Sequence, residues 1–223
     1  MPKTYIGKLF FFISFAVITL AFLVGFSFLT FTFMVITPVL LYIFFRKNKP
    51  KNPTVVIPDG YVLAPCNGVV ESVRLKVKHP VWGGSLQEIS FVIPHFNESG
   101  LYLPIAGEVR DVLVQEGRSI CRYQLFRAHG TSPTTVGKTY RSILIHVKGN
   151  AFKVGIHLVK CCFGFFPHPW LFPGDKGIAG ANFGFFPLGG NVFIYLPPEM
   201  KVLVEVGQNV RGGETPVAIR SDK

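Results

Sequence analysis

Beyond residue 60 the chain alternates apolar and polar side chains in short runs. Val73-Arg74-Leu75-Lys76-Val77 alternates strictly. Glu108-Val109-Arg110-Asp111-Val112-Leu113-Val114, Ser142-Ile143-Leu144-Ile145-His146-Val147 and Lys201-Val202-Leu203-Val204-Glu205-Val206 lapse only briefly. A period of two sends successive side chains to opposite faces of a strand. Glycine and proline punctuate the runs at Asn67-Gly68, Ala106-Gly107, Glu116-Gly117, Pro173-Gly174-Asp175 and Gly212-Gly213, where turns are cheapest. No stretch after residue 54 has a long helical period. The pattern predicts a mostly β fold: a barrel-sandwich-like β domain of short strands.

The first quarter of the chain reads differently. Residues 9–45 carry no charge. As one helix they would span about 55 Å, against a hydrocarbon core of about 30 Å. Two short crossings are therefore expected, forming an N-terminal transmembrane α-helical hairpin with its turn at Gly25-Phe26-Ser27 and a kink at Pro38. Lys3 and Lys8 precede the run, and Arg46, Lys47, Lys49 and Lys51 follow it. Basic residues on both flanks put both ends on the cytoplasmic side. A secretory leader fits less well, because its apolar region is only about 7–15 residues. Residues 46–58 read as a linker. The expected division is a membrane hairpin with its basic linker over 1–52 and the β domain over 53–223. The expected location is the cell inner membrane, with the β domain on the cytoplasmic side.

Charge adds a partner. The chain carries a formal +11, of which +6 lies before residue 53 without a single acid. All twelve Asp and Glu come later, against seventeen Lys and Arg. Beside an apolar hairpin, an anionic phospholipid membrane explains this balance better than nucleic acid does, since juxtamembrane cations gain about 1 kcal/mol each there. Arg46, Lys47, Lys49 and Lys51 are the candidate contacts. The aromatic run Phe163, Phe165, Phe166, Trp170 and Phe172, with Leu171, reads equally as core or as a second membrane contact led by Trp170 and Phe172. A protein partner or a homo-oligomer stays open.

Other polar residues have plainer readings. Cys66, Cys121, Cys161 and Cys162 form no C-x-x-C pair and are expected as buried free thiols, with no metal site. His146 and His157 read as strand-face residues, and His168, between two prolines, as part of a surface turn.

Several segments carry chemistry by their order and spacing. Tyr42-Ile43-Phe44-Phe45-Arg46 closes the apolar run, and Ala64-Pro65-Cys66-Asn67-Gly68 opens the β region. Gly174-Asp175 leads, through Gly180, Phe183 and Gly184, to Phe186-Pro187-Leu188-Gly189-Gly190-Asn191-Val192-Phe193-Ile194-Tyr195-Leu196-Pro197. Residues 202–215 read Val-Leu-Val-Glu-Val-Gly-Gln-Asn-Val-Arg-Gly-Gly-Glu-Thr. Together these resemble the phosphatidylserine decarboxylase family in its short prokaryotic form. That family cuts itself at a Gly-Ser bond, and the serine becomes a pyruvoyl group. The resemblance places a serine at Gly190, its proton acceptor, a histidine, at Ser99, and the aspartate that orients the histidine at Asn67. It also places an arginine at Tyr102.

Glycine has no hydroxyl to attack the preceding carbonyl, and an amide carries no charge to stabilise an imidazolium. His95 lies close enough in sequence to replace the base, but would have no serine to activate. Asn191 can cyclise, although a following Val192 makes that slow, and the product is a succinimide. The expectation is a decarboxylase-like protein without catalytic residues, with Gly189-Gly190 as the former cleavage site and no cofactor, the pyruvoyl group included. Phospholipid binding or regulation is its expected role. An active decarboxylase making phosphatidylethanolamine and a structural membrane-assembly module are the alternatives.

A second likeness is weaker. Pro104-Ile105-Ala106-Gly107-Glu108-Val109 and residues 207–214 resemble turns of biotinyl and lipoyl domains. Asp175-Lys176 matches a lipoyl hairpin only in part and no Met-Lys-Met occurs, so a swinging arm is not expected.

Overall fold

The computed structural model describes residues 3–4, 8–23, 25, 28–47, 60–94, 97–117, 141–161 and 164–220. The chain divides into two compact units, Met1–Lys49 and Pro50–Lys223.

In the first unit, β1 (Lys3–Thr4) is followed by α1 (Lys8–Leu23), α2 (Phe28–Phe45) and β2 (Arg46–Lys47). Strands β1 and β2 pair antiparallel, Lys3 opposite Lys47 and Thr4 opposite Arg46. The helices form where apolar residues run without interruption. Their hydroxyls turn inward on the backbone: Thr19 and Thr32 donate to the carbonyls of Phe15 and Phe28, at 3.0 and 2.8 Å. Gly25, at φ 75°, stands between the helices.

The transmembrane hairpin expected here is not supported. Among the described residues no helix is long and apolar enough to cross a membrane. Interrupted near Gly25, the apolar run yields helices of 16 and 18 residues. At 1.5 Å per residue these reach about 24 and 27 Å, short of a core of about 30 Å. Pro38 also lies inside α2, where it removes a backbone donor.

The second unit is β throughout its described residues. In chain order the strands are β3 (Tyr61–Leu63), β4 (Gly68–Val77), β5 (Leu86–Ile93), β6 (Gly100–Tyr102), β7 (Gly107–Gln115), β8 (Ser142–Lys148) and β9 (Lys153–Val159). There follow β10 (His168–Pro169), β11 (Lys176–Gly177), β12 (Asn182–Phe185), β13 (Gly190–Leu196), β14 (Met200–Val202), β15 (Asn209–Val210) and β16 (Pro216–Arg220). An eight-stranded sheet runs β11-β7-β8-β9-β13-β5-β4-β15, and two three-stranded sheets run β10-β12-β6 and β14-β16-β3. The expectation of a mostly β domain with many short strands holds.

Alternation decides which side chains meet. Val192, Ile194 and Leu196 of β13 join Val154, Ile156 and Leu158 of β9 and Ile89, Phe91 and Ile93 of β5 in the main core. Residues of the smaller sheets, among them Val62, Leu101, Phe183 and Val217, complete it. The opposite face of the same central strands builds a second cluster from Val77, Val159, Phe193 and Tyr195, with Trp82 and Leu86 packed on it. A sheet buried on both faces explains why β13 reads as an unbroken apolar run. Two expectations differ in detail. The run after Lys201 leaves the sheet beyond Val202, because residues 205–208 close on themselves through Gln208 N–H to Glu205 O, 3.1 Å. His168 lies in β10, not in a turn, with its exposed ring stacked on Phe185 at 5.2 Å.

Candidate functional site

Two of the three positions that the resemblance assigns to catalytic groups are joined by a short network. Asn67 lies between β3 and β4. Its Oδ1 accepts the Gly212 backbone N–H at 2.9 Å, and its Nδ2 donates to Glu98 Oε2. The other oxygen of Glu98 accepts the Tyr102 hydroxyl at 2.9 Å. Glu98 is buried, and a buried carboxylate persists only with such donors around it. Beside it, Cys66 is a buried free thiol. Burial first, and then the Glu98 charge, push that thiol far above its ordinary pKa, so it stays protonated and is no nucleophile.

Ser99 follows Glu98 directly. It is buried, and its hydroxyl has no hydrogen-bond partner among the described residues. Its carbonyl accepts the Phe186 backbone N–H at 2.7 Å, which connects it to the third position. Phe186 begins a turn closed by Gly189 N–H to Phe186 O at 3.1 Å. Within it Leu188 adopts φ 58°, a left-handed conformation that costs a side-chain-bearing residue about 1–2 kcal/mol. Gly190 then opens β13 opposite Ile93. A Cβ on residue 190 would lie 2.2 Å from Phe186 Cζ. The Phe186 ring fills that space.

The structure thus connects Asn67, Ser99 and Gly190 through Glu98 and Phe186. The expected lipid contacts lie on other elements or outside the described residues. Arg46 and Lys47 form β2 in the other unit, while Lys49, Lys51 and His95 lie outside the described residues. Cys121, Cys162 and Phe163 lie outside them too; Cys161 is a buried free thiol. The aromatic run splits: Phe166 and Leu171 pack on the core, whereas Phe165, Trp170 and Phe172 are exposed. Reading the sequence missed Glu98, Tyr102 as its donor, and Phe186. The only signal was an acid beside Ser99, four residues before a tyrosine.

A separate concave site lies on the second face of the large sheet. One row of paired residues crosses six strands: Asp111, His146, Gly155, Tyr195, Glu88 and Arg74. His146 Nδ1 stands 3.7 Å from Asp111 Oδ2, and Arg74 stands 3.7 Å from Glu88. Trp82 lies over Gly155, where a Cβ would come within 2.5 Å of its ring. The cavity there holds about 540 Å³, with Trp82, Leu144, Tyr195 and Lys153 on its wall.

His79 stacks on Trp82 at 4.0 Å, and its Nδ1 accepts the backbone N–H of Val81 at 3.2 Å. Burial lowers its pKa to about 4. His157, 6.1 Å away, is fully enclosed, and both its ring nitrogens lack hydrogen-bond partners among the described residues. Burial, with His79 adding a little, holds His157 at about 3. Both rings are neutral at physiological pH. His146 is lowered as well, by burial first and Lys153 next, with Asp111 opposing.

The Asn67 turn and the turn before Gly190 both lie within a single family match. The family model described as phosphatidylserine decarboxylase matches residues 40–218, so the chain belongs to the phosphatidylserine decarboxylase family. Among its relatives is a phosphatidylserine decarboxylase proenzyme of Parabacteroides distasonis, 26% identical over 160 residues, covering 72% of this chain and 69% of the relative. One from Chlorobaculum parvum is 28% identical over 185 residues and covers 79% of each chain. One from Nitrosomonas eutropha is 28% identical over 190 residues, covering 81% of this chain and 78% of its own.

This membership corrects the expectation of no cofactor, because phosphatidylserine decarboxylases use a pyruvoyl group. The residues now at position 190 do not fit its precursor. Gly190 offers no hydroxyl, and the Phe186 ring occupies the place of a side chain.

Proposed function

We propose that this member of the phosphatidylserine decarboxylase family binds phospholipid headgroups without decarboxylating them. One observation carries the reading: the ring of Phe186 sits where the side chain of residue 190 would begin. Asn67 and Ser99 support it, since neither is a charged orienter nor an imidazole base. The chain's excess of basic residues favours an anionic phospholipid surface as its partner. The proposed site of action is the cytoplasmic face of the inner membrane.

The test pairs two measurements on the full chain with vesicles containing phosphatidylserine. Co-sedimentation with no phosphatidylethanolamine formed is the expected result. Steady formation of phosphatidylethanolamine overturns the reading. An active decarboxylase is the second reading, and a single feature favours it. The buried Glu98 carboxylate, held by Asn67 and Tyr102, supplies a charge one residue from Ser99.

A further inference from the structure

We infer that the β domain docks on anionic bilayers through a basic cleft on β7, β8 and β11, beside an exposed aromatic turn. This rests on the phospholipid-binding reading and names the surface that performs it. The cleft holds about 540 Å³ and is lined by Arg110, Lys148 and Lys176, with Glu108 the one carboxylate among its lining residues. Glu108 is engaged by Arg110 at 3.4 Å, which leaves Lys148 and Lys176 as cations facing the cleft. Both are exposed. Gly107, Gly149, Gly177 and the polar Asn150 form the rest of its lining, so most of what remains is backbone, with one amide beside it. A lipid phosphodiester is small enough to enter and carries the charge the cleft lacks.

The neighbouring turn supplies the apolar half. Phe172 and Ile178 are each 71% exposed and Trp170 is 48% exposed. Exposure of this size on three large side chains within nine residues is not what a solvated turn requires. The turn is held rigid. Gly174 N–H donates to Val109 O at 2.7 Å, Val109 N–H donates to Asp175 O at 2.8 Å, and Asp175 Oδ2 accepts the Phe172 N–H at 2.8 Å. These bonds tie the turn to the residue between Glu108 and Arg110, while Lys176 itself lies between Phe172 and Ile178 in the chain. Cations and exposed aromatics therefore share one rim. Charge at phosphate level with aromatic side chains beside it is what a bilayer interface accepts. A soluble acidic protein would match the cations but leave the aromatics in water.

The experiment uses the full chain with neutral phosphatidylcholine vesicles and with vesicles containing phosphatidylglycerol. Partitioning is compared among wild type, Lys148→Glu/Lys176→Glu and Trp170→Ser/Phe172→Ser, after circular dichroism has shown that each variant is folded. Quenching by brominated acyl chains, compared between wild type and Trp170→Phe, isolates the signal of Trp170. The expected result is binding to anionic vesicles that drops at least tenfold in the charge variant. The aromatic variant loses the part that survives 1 M salt, and Trp170 is quenched. If wild type binds and both variants bind equally well, this surface is wrong while the phospholipid-binding reading stands. If wild type binds neither vesicle, both are wrong. Should the charge reversals unfold the protein, Lys148→Gln/Lys176→Gln gives the same contrast with a smaller drop, and an unchanged affinity there overturns the proposal.

Discussion

The ring of Phe186 occupies the position that a side chain on residue 190 would take, its Cζ 2.2 Å from where a Cβ would stand. Both residues lie within the family match, and a side chain at position 190 would require the Phe186 ring to shift. Gly190→Ser should therefore destabilise the protein by about 1–3 kcal/mol through overpacking. Phe186→Leu should recover part of that loss, so the double variant costs less than the two singles added. Denaturant melts of the four proteins check it, and strict additivity would show that Phe186 yields freely. Gly190→Ser alone should form no phosphatidylethanolamine, because groups acting as a unit are strongly non-additive.

Asn67 touches Glu98 through a donor that an aspartate lacks. Asn67→Asp should bring two carboxylates together and raise the pKa of the pair. The folded state then binds more protons than the unfolded one, so stability falls as pH rises through the raised pKa. The variant should lose about 1–3 kcal/mol at pH 7.5 and markedly less at pH 5. Equal losses at both pH values would mean that Glu98 is already protonated.

Tyr102→Phe removes a second donor to Glu98. Losing a hydroxyl donor to a buried carboxylate should cost about 1–3 kcal/mol. Chemical denaturation measures it. A change below a few tenths of a kcal/mol would show that water replaces the hydroxyl.

His157 gives the protein an acid-sensitive point. Its pKa is about 3 when folded, against an ordinary 6.5. Between those values the unfolded chain binds the extra proton, so stability is full above 6.5 and declines as pH falls towards 3. At pH 5 the loss is about 2 kcal/mol. His79, at about 4, acts in the same direction. In His157→Phe the fall in Tm between pH 7 and pH 5 should shrink, and an unchanged slope would exclude His157 as its source.

Leu188 holds φ 58° in the turn that precedes Gly190. Leu188→Gly should be neutral or stabilising by up to about 1 kcal/mol, the relief of strain exceeding the added chain entropy. Leu188→Val should destabilise, since a β-branched side chain tolerates that conformation least. The reverse order in thermal melts would mean that contacts of the Leu188 side chain outweigh its backbone.

The strands of the β domain were legible because alternation is local. Residues 108–114 and 142–147 carry their period in their own composition and fold as β7 and β8. The apolar residues 9–45 show the limit of such reading. Hydrophobicity marked the helices, but the break near Gly25 set their lengths at 16 and 18 residues, too short for the crossing that their composition suggested. The aromatic run divided in the same way. Trp170 and Phe172 face out and Phe166 and Leu171 face in, a choice made by neighbours distant in sequence.

By itself the sequence determined the family and the β character, and it put forward Asn67, Ser99 and Gly190 as the counterparts of the family's catalytic groups, because each is a matter of residue identity and spacing. Only the tertiary structure decided what those residues meet. Glu98 reaches Asn67 across 31 positions, and Phe186 fills the space over Gly190 through a turn whose shape no local pattern announces. Lys148 and Lys176 share a cleft because β8 and β11 both pair with β7. Such encounters depend on strand order and register, which long-range packing selects, and a single chain read from end to end does not contain them in any one place.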